Sequence, residues 1–241
     1  MKSSIKKLFS LLVVAVLFTS CNVNMFNRIS GNNNVTSNDR STKESFTKVK
    51  VSSGLDLYLE QGSKNTVTVE ADENLQDIII TEVKDGVLKI YTEKNIWRAK
   101  SRKVYVTIKT LEAITATSGA DVYATKTITS NDLKVSSTSG ADIRIDVDAE
   151  NVETNSNSGS DIEITGIATN HKTSASSGAS IDAYNLKSKN VTANVSSGAD
   201  INVFASESIN ARASSGGDID FKGRPAEVKK KSNSGGSISQ K

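Results

Sequence analysis

Hydrophobic and polar residues alternate along the second half of the chain, and the pattern returns at a nearly constant interval. When the units are aligned on one glycine, an apolar residue stands three positions later, and the positions on either side of it are mostly polar or charged. The aligned glycines are Gly119, Gly140, Gly159, Gly178, Gly198, Gly216 and Gly235. A period of two residues is typical of β-strands, so each unit is predicted to be extended.

The repeat length indicates how these strands are organised. The glycines are spaced by 18 to 21 residues, in strings such as TSGADVYA, SSGADINV and SSGGDIDF. A unit of this length cannot bury its own apolar face, whereas stacked units share one continuous core in which equivalent residues lie about 4.8 Å apart. The sequence therefore predicts an all-β fold, a parallel β-helix or β-solenoid over residues 113–241, with the right-handed winding that is the default for parallel crossovers.

The residues around each glycine predict a tight corner. A serine always precedes the glycine, and Ala, Ser or Gly follows it. Larger side chains would collide at such a corner, and glycine supplies the backbone freedom. We interpret the serine and the small residue as facing inward, in a hydrogen-bonded serine ladder, and the following aspartate as facing outward.

Residues 45–112 repeat less regularly and predict an irregular, partly antiparallel β region that covers the first coil. Predicted strands span residues 46–51, 55–60, 66–70, 78–83, 87–92 and 103–109. Asp85-Gly86 is a hairpin signal, residues 72–77 are expected to form one helical turn, and an eighth copy of the motif, SSGLDLYL, surrounds Gly54. At the other end, Pro225 and the lysines at 229–231 are expected to discourage pairing at the open sheet edge.

The first 20 residues have the pattern of an export signal. Lys2, Lys6 and Lys7 precede an apolar run from Leu8 to Phe18, which is too short to span a bilayer. The run ends just before Cys21, the only cysteine, in a context that resembles a bacterial lipobox. We expect cleavage before Cys21 and lipidation of its thiol, which would anchor the protein in a membrane; a free thiol or an intermolecular bridge is the alternative.

Cleavage changes the charge and leaves a polar N-terminal segment. The whole chain has 30 basic and 27 acidic residues, and loss of three signal lysines would leave 27 of each, so no nucleic-acid partner is indicated. Residues 21–44 are rich in Asn and Ser, with seven asparagines between positions 22 and 44. Few apolar groups are available there to offset the entropy of ordering, so the segment is predicted to be a flexible tether.

These features together resemble a known family. The exported start, the lipobox and the strings SSTSGADIRID, NVSSGADINV and ASSGGDIDF are similar to those of auto-transporter adhesins with a head GIN domain, which are frequent in Bacteroidetes envelopes. The resemblance covers roughly residues 45–225. It implies a β-helical fold, an outer-membrane lipoprotein facing either the periplasm or the cell surface, and an adhesive role; it brings no catalytic residue.

A column of aspartates is the first candidate binding feature. Asp121, Asp142, Asp161, Asp200 and Asp218 each stand two positions after the glycine, where alternation points them outward. Neighbouring carboxylates could attract a cation or a basic partner, although calcium requires six to eight oxygens. The alternative is that each aspartate hydrogen-bonds local backbone, as in an Asx turn, and no metal site or cofactor is expected.

Trp97 and His171 are the other candidates. Trp97 lies among Tyr91, Tyr105 and several lysines and arginines, and this cluster could contact a glycan, a lipid headgroup or an anionic polymer, or could be a solvated loop beside a packed tryptophan. His171, the only histidine, occupies a column that holds Leu133, Val152 and Val191 in other units, so a packed, non-catalytic role is expected.

Three functions remain after this reading. The first is a non-catalytic binding or adhesion module with a glycan or protein ligand. The second is a structural envelope protein that self-associates, possible because stacked coils and zero net charge permit it. The third is a polysaccharide-cleaving enzyme, disfavoured because no acidic residues combine with Arg or Lys in a recognisable site.

Overall fold

The computed structural model describes residues 28–42 and 44–241, which form an all-β protein. The predicted signal peptide and Cys21 lie outside these residues. The strands are β1 (Arg28–Ser30), β2 (Val35–Arg40), β3 (Lys48–Val51), β4 (Asp56–Gln61), β5 (Thr66–Asp72), β6 (Ile79–Lys84), β7 (Val87–Thr92), β8 (Asn95–Arg98), β9 (Arg102–Ile108), β10 (Ala113–Thr117), β11 (Asp121–Ala124), β12 (Ile128–Thr138), β13 (Asp142–Asn157), β14 (Asp161–Ser176), β15 (Ser180–Val195), β16 (Asp200–Ala213), β17 (Asp218–Lys222), β18 (Glu227–Ser232) and β19 (Ser237–Gln240). A short 3-10 helix spans Glu73–Leu75, and no helix in the described part of the chain is long and apolar enough to cross a membrane.

The repeats form the predicted parallel β-solenoid. Strands β13, β14 and β15 have 16 residues each and extend along almost a whole coil. Equivalent residues pair in register, so that Ile143 lies opposite Ile162 and Ile162 opposite Ile181. Because each coil supplies hydrogen-bond partners to the next, the stack satisfies the backbone of units that could not fold alone.

A Ser-Gly turn closes each coil, and it corrects the prediction that these serines face inward. At Ser139 and Gly140 the backbone φ angles are 59° and 69°, and the other six repeats have the same pair of left-handed residues. Two consecutive left-handed residues interrupt the pleat, so alternation restarts after the turn and the serine is left exposed. The small residue after the glycine is buried, as predicted; Ala141 is one example.

The turn divides each coil into two faces. The post-turn face contains the residues that follow the glycine, such as Asp142–Ala149, and the pre-turn face contains those that lead to the next turn, such as Val152–Asn157. At the far corner Glu150 and Asn151 are both exposed, which shifts the alternation by one residue. The buried side chains of both faces therefore point into the same interior, and the outward ones form two separate surfaces.

The interior contains short columns of like residues. Buried isoleucines or valine occupy the position three after the glycine in six coils, namely Val122, Ile143, Ile162, Ile181, Ile201 and Ile219. Fully burying one such side chain stabilises the fold by roughly 1.5–3 kcal/mol. Hydroxyl groups replace apolar ones in the middle coils, where Ser137 Oγ donates to the Ala141 carbonyl at 2.6 Å and Ser156 Oγ to the Ser160 carbonyl at 2.7 Å. Buried polar groups of this kind are tolerated because they are hydrogen-bonded.

The N-terminal region continues the solenoid and adds antiparallel strands to it. Strands β3 and β4 pair in parallel with β10 and β11, so the motif around Gly54 forms a further coil. Strand β5 is antiparallel to β9, and β6 and β7 form an antiparallel hairpin around Asp85-Gly86, as predicted. The predicted helical turn is the 3-10 helix, and each predicted strand matches an observed one to within two residues at either end.

The predicted tether is wrong for the described part of residues 21–44. Strand β2 pairs antiparallel with β5, and β1 pairs in parallel with β8. Asn32, Asn33 and Asn34 hydrogen-bond the segment around Asp72; Asn33 N–H donates to the Asp72 carboxylate at 2.8 Å, for example. Cross-strand hydrogen bonds, which composition does not reveal, therefore order a segment with few apolar groups.

Candidate functional site

The predicted aspartate column lies on the post-turn face. Register pairs Asp121 with Asp142 and Asp142 with Asp161, and Asp56 precedes them opposite Asp121. Ser180 then separates Asp161 from Asp200. Partial burial, followed by the charge of neighbouring Asp142, raises the pKa of both Asp121 and Asp161. Within the described residues no group of three or more His, Cys, Asp or Glu side chains is arranged to hold a metal ion.

A row of tyrosines lies beside the aspartates, which the sequence reading missed. The ring of Tyr58 stacks on Tyr105 with centroids 5.2 Å apart and on Tyr123 at 5.4 Å. The guanidinium of Arg144 continues the stack 5.7 Å from the Tyr123 ring, and it pairs with Glu163. The sequence does contain a signal for this row. When the copy SSGLDLYL is aligned with TSGADVYA, Asp56 and Tyr58 fall opposite Asp121 and Tyr123.

Trp97 does not form one cluster with the aromatic residues predicted to accompany it. It is 56% exposed on β8, and the guanidinium of Arg28 lies 4.4 Å from its ring. Tyr105 instead belongs to the tyrosine row. Trp97 is therefore exposed rather than packed, and its cation–π partner, Arg28, comes from the segment predicted to be a tether.

His171 is packed inside the coils rather than placed at a surface site. Its Nε2 lies 2.9 Å from Thr154 Oγ1, which donates its hydrogen to Thr173 Oγ1 at 2.8 Å. Since a hydroxyl has one hydrogen, Thr154 accepts from Nε2–H, and Nδ1 has no hydrogen-bond partner among the described residues. Burial lowers the pKa of His171 to about 4, so the ring is neutral at physiological pH.

A concave surface that was not predicted from the sequence lies on the pre-turn face. We call it the pre-turn groove; it has a volume of about 790 Å³ and crosses the coils along two outward rows. One row consists of Ser136, Asn155, Ser174, Asn194, Arg212 and Lys231, and the other of Thr138, Asn157, Ser176, Ser196, Ser214 and Asn233. Hydroxyl and amide groups thus repeat along the groove at the spacing of the coils, about 4.8 Å.

A second concave surface of about 770 Å³ lies on the same face, toward the corner and the first coils. An asparagine ladder runs along this corner. Asn151 donates to Asp132 at 3.0 Å, Asn170 to Asn151 at 2.8 Å, Asn190 to Asn170 at 3.2 Å, and Ser208 to Asn190 at 2.7 Å. These bonds hold the corner side chains in place, which makes the rim of the pre-turn face rigid.

The comparisons with known proteins come from sequence and from structure. A family profile described as "Putative auto-transporter adhesin, head GIN domain" matches residues 45–225. The fold is similar to crystal structures of a "putative adhesin" from Bacteroides fragilis (TM-score 0.83, 23% identity, covering 88% of this chain and 100% of the other) and of a "Putative lipid binding protein" from Parabacteroides distasonis (0.72, 21%, 89% and 99%). A "putative adhesin" from Parabacteroides merdae has a TM-score of 0.72 at 17% identity, covering 89% and 99%. No curated protein matches the chain.

Proposed function

The chain belongs to the family of auto-transporter adhesins with a head GIN domain, and from that premise we propose that it is a non-catalytic envelope protein that binds an extended polymer in the pre-turn groove. An adhesin family indicates a location in the cell envelope or at the cell surface. The observation that carries the proposal is the groove itself, about 790 Å³ in volume and lined along its length by serine, threonine and asparagine.

The chemistry of the groove suits a carbohydrate ligand. Hydroxyl and amide groups both donate and accept hydrogen bonds, as sugar hydroxyls do. Most of them, including Ser136, Asn155, Ser174 and Asn194, stand on strands rather than on loops, so their positions are fixed by the register of the sheet before any ligand arrives. Such pre-organisation reduces the entropy lost on binding, and a repeating ligand can make the same contacts in successive coils.

A binding role is favoured over a catalytic one because of the surroundings of His171. The imidazole is buried, neutral and hydrogen-bonded to Thr154 in the interior, where it cannot reach a ligand on either face. The aspartates two positions after the glycines stand in one row beside their like neighbours, whereas glycoside hydrolysis requires an acid and a base flanking one bond.

The groove can be tested by blocking it. In Ser174→Trp an indole would fill the middle of the groove, while Glu163→Trp on the same strand places an indole on the post-turn face. On a glycan array, we expect the protein and the Glu163→Trp control to bind the same glycans and Ser174→Trp to lose them. Equal binding by both variants would show that the groove is not the site.

We further propose that Cys21 carries a lipid that anchors the protein in the outer membrane. The support is the sequence pattern of the first 21 residues. Cys21→Ala should abolish incorporation of labelled fatty acid and move the protein from the membrane to the soluble fraction. Protease treatment of intact cells would then distinguish a surface-exposed domain, which is cut, from a periplasmic one, which survives until the outer membrane is permeabilised.

A second candidate function is self-association into an envelope scaffold. The specific observation is that the outward rows of the two faces differ in charge, with aspartates on the post-turn face and lysines such as Lys134 and Lys172 on the pre-turn face. Contacts between unlike faces do not close and can propagate. Light scattering of the full protein at low and high salt tests this candidate; a monomer under both conditions excludes it.

A further inference from the structure

The outward rows of the pre-turn face carry many positive charges. Eight basic side chains occupy the rows four and six residues before the glycines and their continuation onto β3 and β7: Lys48, Lys50, Lys89, Lys134, Lys172, Arg212, Lys229 and Lys231. Three of them pair with acids, as Lys48 does with Glu112, Lys134 with Glu153 and Lys229 with Glu227. Within the described part of the chain, the other five, Lys50, Lys89, Lys172, Arg212 and Lys231, have no carboxylate within 4.0 Å.

The post-turn face has the opposite charge. From β11 to β19 its rows two and four residues after the glycines contain eight acids and one base: Asp121, Asp142, Asp161, Glu163, Asp182, Asp200, Asp218, Asp220 and Arg144. The repulsion within these rows is strong enough to contribute to the raised pKa of Asp121 and Asp161, after partial burial. Charge is therefore segregated between two faces of the same coils, and an anion is attracted to one and repelled by the other.

Positive charges lie at both ends of one row of the pre-turn face, and the groove occupies the part of that row from Ser136 to Lys231. The row that contains Ser174 begins at Lys89 and Lys50, continues through hydroxyl and amide groups, and ends at Arg212 and Lys231. It crosses nine strands, a distance of about 38 Å at the strand spacing of a sheet. A ligand that contacts both ends must be long and extended, and it must carry anionic groups along a polar, hydroxyl-rich backbone.

We propose that the pre-turn face binds an acidic polysaccharide, lying along the solenoid axis with its carboxylate or sulfate groups on the basic side chains. This inference rests on the proposed function of the groove and adds the charge of the ligand. Arg212 offers a planar fork of N–H donors that matches a carboxylate, while Lys172 and Lys231 act as point charges. The serine and asparagine side chains between them take up the uncharged hydroxyls.

A polymer fits this face better than an anionic membrane does. The surface of a bilayer is nearly flat at this scale, so it cannot enter a concave groove, whereas a single polymer chain can. The groove is also lined by serine, threonine, asparagine and basic residues, and the exposed Trp97, which could insert among lipids, lies on β8 outside it. Surface insertion of proteins generally requires apolar side chains beside the basic ones.

The test compares two polymers that share one backbone and differ in whether their carboxyl groups are charged or methyl-esterified. Polygalacturonate and its fully methyl-esterified form share one backbone, and their binding to the full detergent-solubilised protein can be measured by calorimetry at 50 mM and 500 mM salt. We expect polygalacturonate to bind at least about tenfold more tightly at low salt and to lose this advantage at high salt, because screening shortens the reach of the surface charges.

Charge-reversal variants assign the effect to one face. Lys172→Glu combined with Arg212→Glu should weaken polygalacturonate binding about tenfold or more and leave the ester unchanged. Lys103 lies opposite Asp56 in the aspartate row of the post-turn face. Lys103→Glu combined with Arg144→Glu therefore makes the same change in net charge on that face and is the control. A thermal melt of each variant verifies that it folds.

Each outcome decides between the readings. Equal binding of the two polymers would overturn the charge inference and leave the proposed function standing, whereas binding of neither, together with an empty glycan array, would reject both. Equal losses in the two charge-reversal variants would overturn the assignment to the pre-turn face. Groove-dependent binding to phosphatidylglycerol vesicles in place of polygalacturonate would replace the polysaccharide with a membrane.

Discussion

His171 should make the stability of this protein depend on pH between about 4 and 6.5. The imidazole is buried in the folded protein with its Nδ1 lone pair unpartnered, and burial lowers its pKa from 6.5 to about 4. In the unfolded chain the ring is in water and titrates near pH 6.5. Because the chain contains one histidine, the replacement His171→Val removes this titration entirely. Valine occupies the same column in neighbouring coils, at Val152 and Val191, so the variant is expected to fold.

The sign and size of the effect follow from proton linkage. Between pH 6.5 and 4 the unfolded chain binds a proton that the folded protein does not, so the free energy of unfolding falls as the pH is lowered. Stability is fully present above pH 6.5, is reduced by about 2 kcal/mol at pH 5, and reaches its full loss of about 3 kcal/mol near and below pH 4. The raised pKa values of Asp121 and Asp161 act in the opposite direction, but they are common to both proteins and cancel in the comparison.

Urea unfolding at pH 7.5, 6 and 5 measures the effect in both proteins. We expect the wild-type protein to lose about 2 kcal/mol more than His171→Val between pH 7.5 and 5. His171→Leu serves as a second variant in case valine disturbs the packing beside Thr154. Parallel stability curves for wild type and variants would refute the reasoning, because they would mean that His171 is protonated or solvated in the folded state.

Three further predictions concern stability. Gly166→Ala should lower the free energy of unfolding by about 2–5 kcal/mol in urea melts, because the residue has φ of 110° and a Cβ would collide with the Val147 carbonyl oxygen. Gly178→Ala is the control: its Cβ would meet open space, so it should lower the free energy of unfolding by about 1 kcal/mol, and equal losses in the two variants would contradict the prediction. Asp72→Ala should lower the melting temperature and remove about 3 kcal/mol, since the buried carboxylate accepts three backbone N–H bonds of 2.8–3.0 Å; an unchanged melt would count against a structural role. Tyr58→Ala should remove about 1–3 kcal/mol by breaking two ring stacks, and a loss no larger than that of an exposed Thr→Ala control would argue against stabilisation by the row.

The fold could be predicted because the same alternation of apolar and polar positions recurs in seven units. The apolar position three after the glycine is buried in six of the seven units, and one error in a single unit would have been corrected by the others. The segment at residues 28–40 could not be predicted in this way, because it lies outside the repeats. Its hydrogen bonds lead to β5 and to Asp72, which are distant in sequence, so composition alone indicated a flexible chain.

The candidate site could be predicted only in part, for two physical reasons. The alternation of polar and apolar residues correctly predicted that Asp142 and its neighbours face outward. It gave the wrong direction for the serines, because it assumes a continuous strand, and two consecutive left-handed residues interrupt the strand there. The pre-turn groove escaped notice because its hydroxyl and amide side chains are ordinary in any one unit. They become a site only when Ser174 lies between Asn155 and Asn194 in adjacent coils.

Because the coils stack in register, the length of the groove is set by the number of coils. Every coil adds the same increment of groove, about 4.8 Å, without altering the coils already present. A duplication or deletion of one unit of about 19 residues would lengthen or shorten the contact surface by one fixed step. Relatives with different numbers of coils would then contact different lengths of ligand through the same chemistry in each coil. Binding strength could therefore change during evolution through the number of coils, without changes to the residues of each coil.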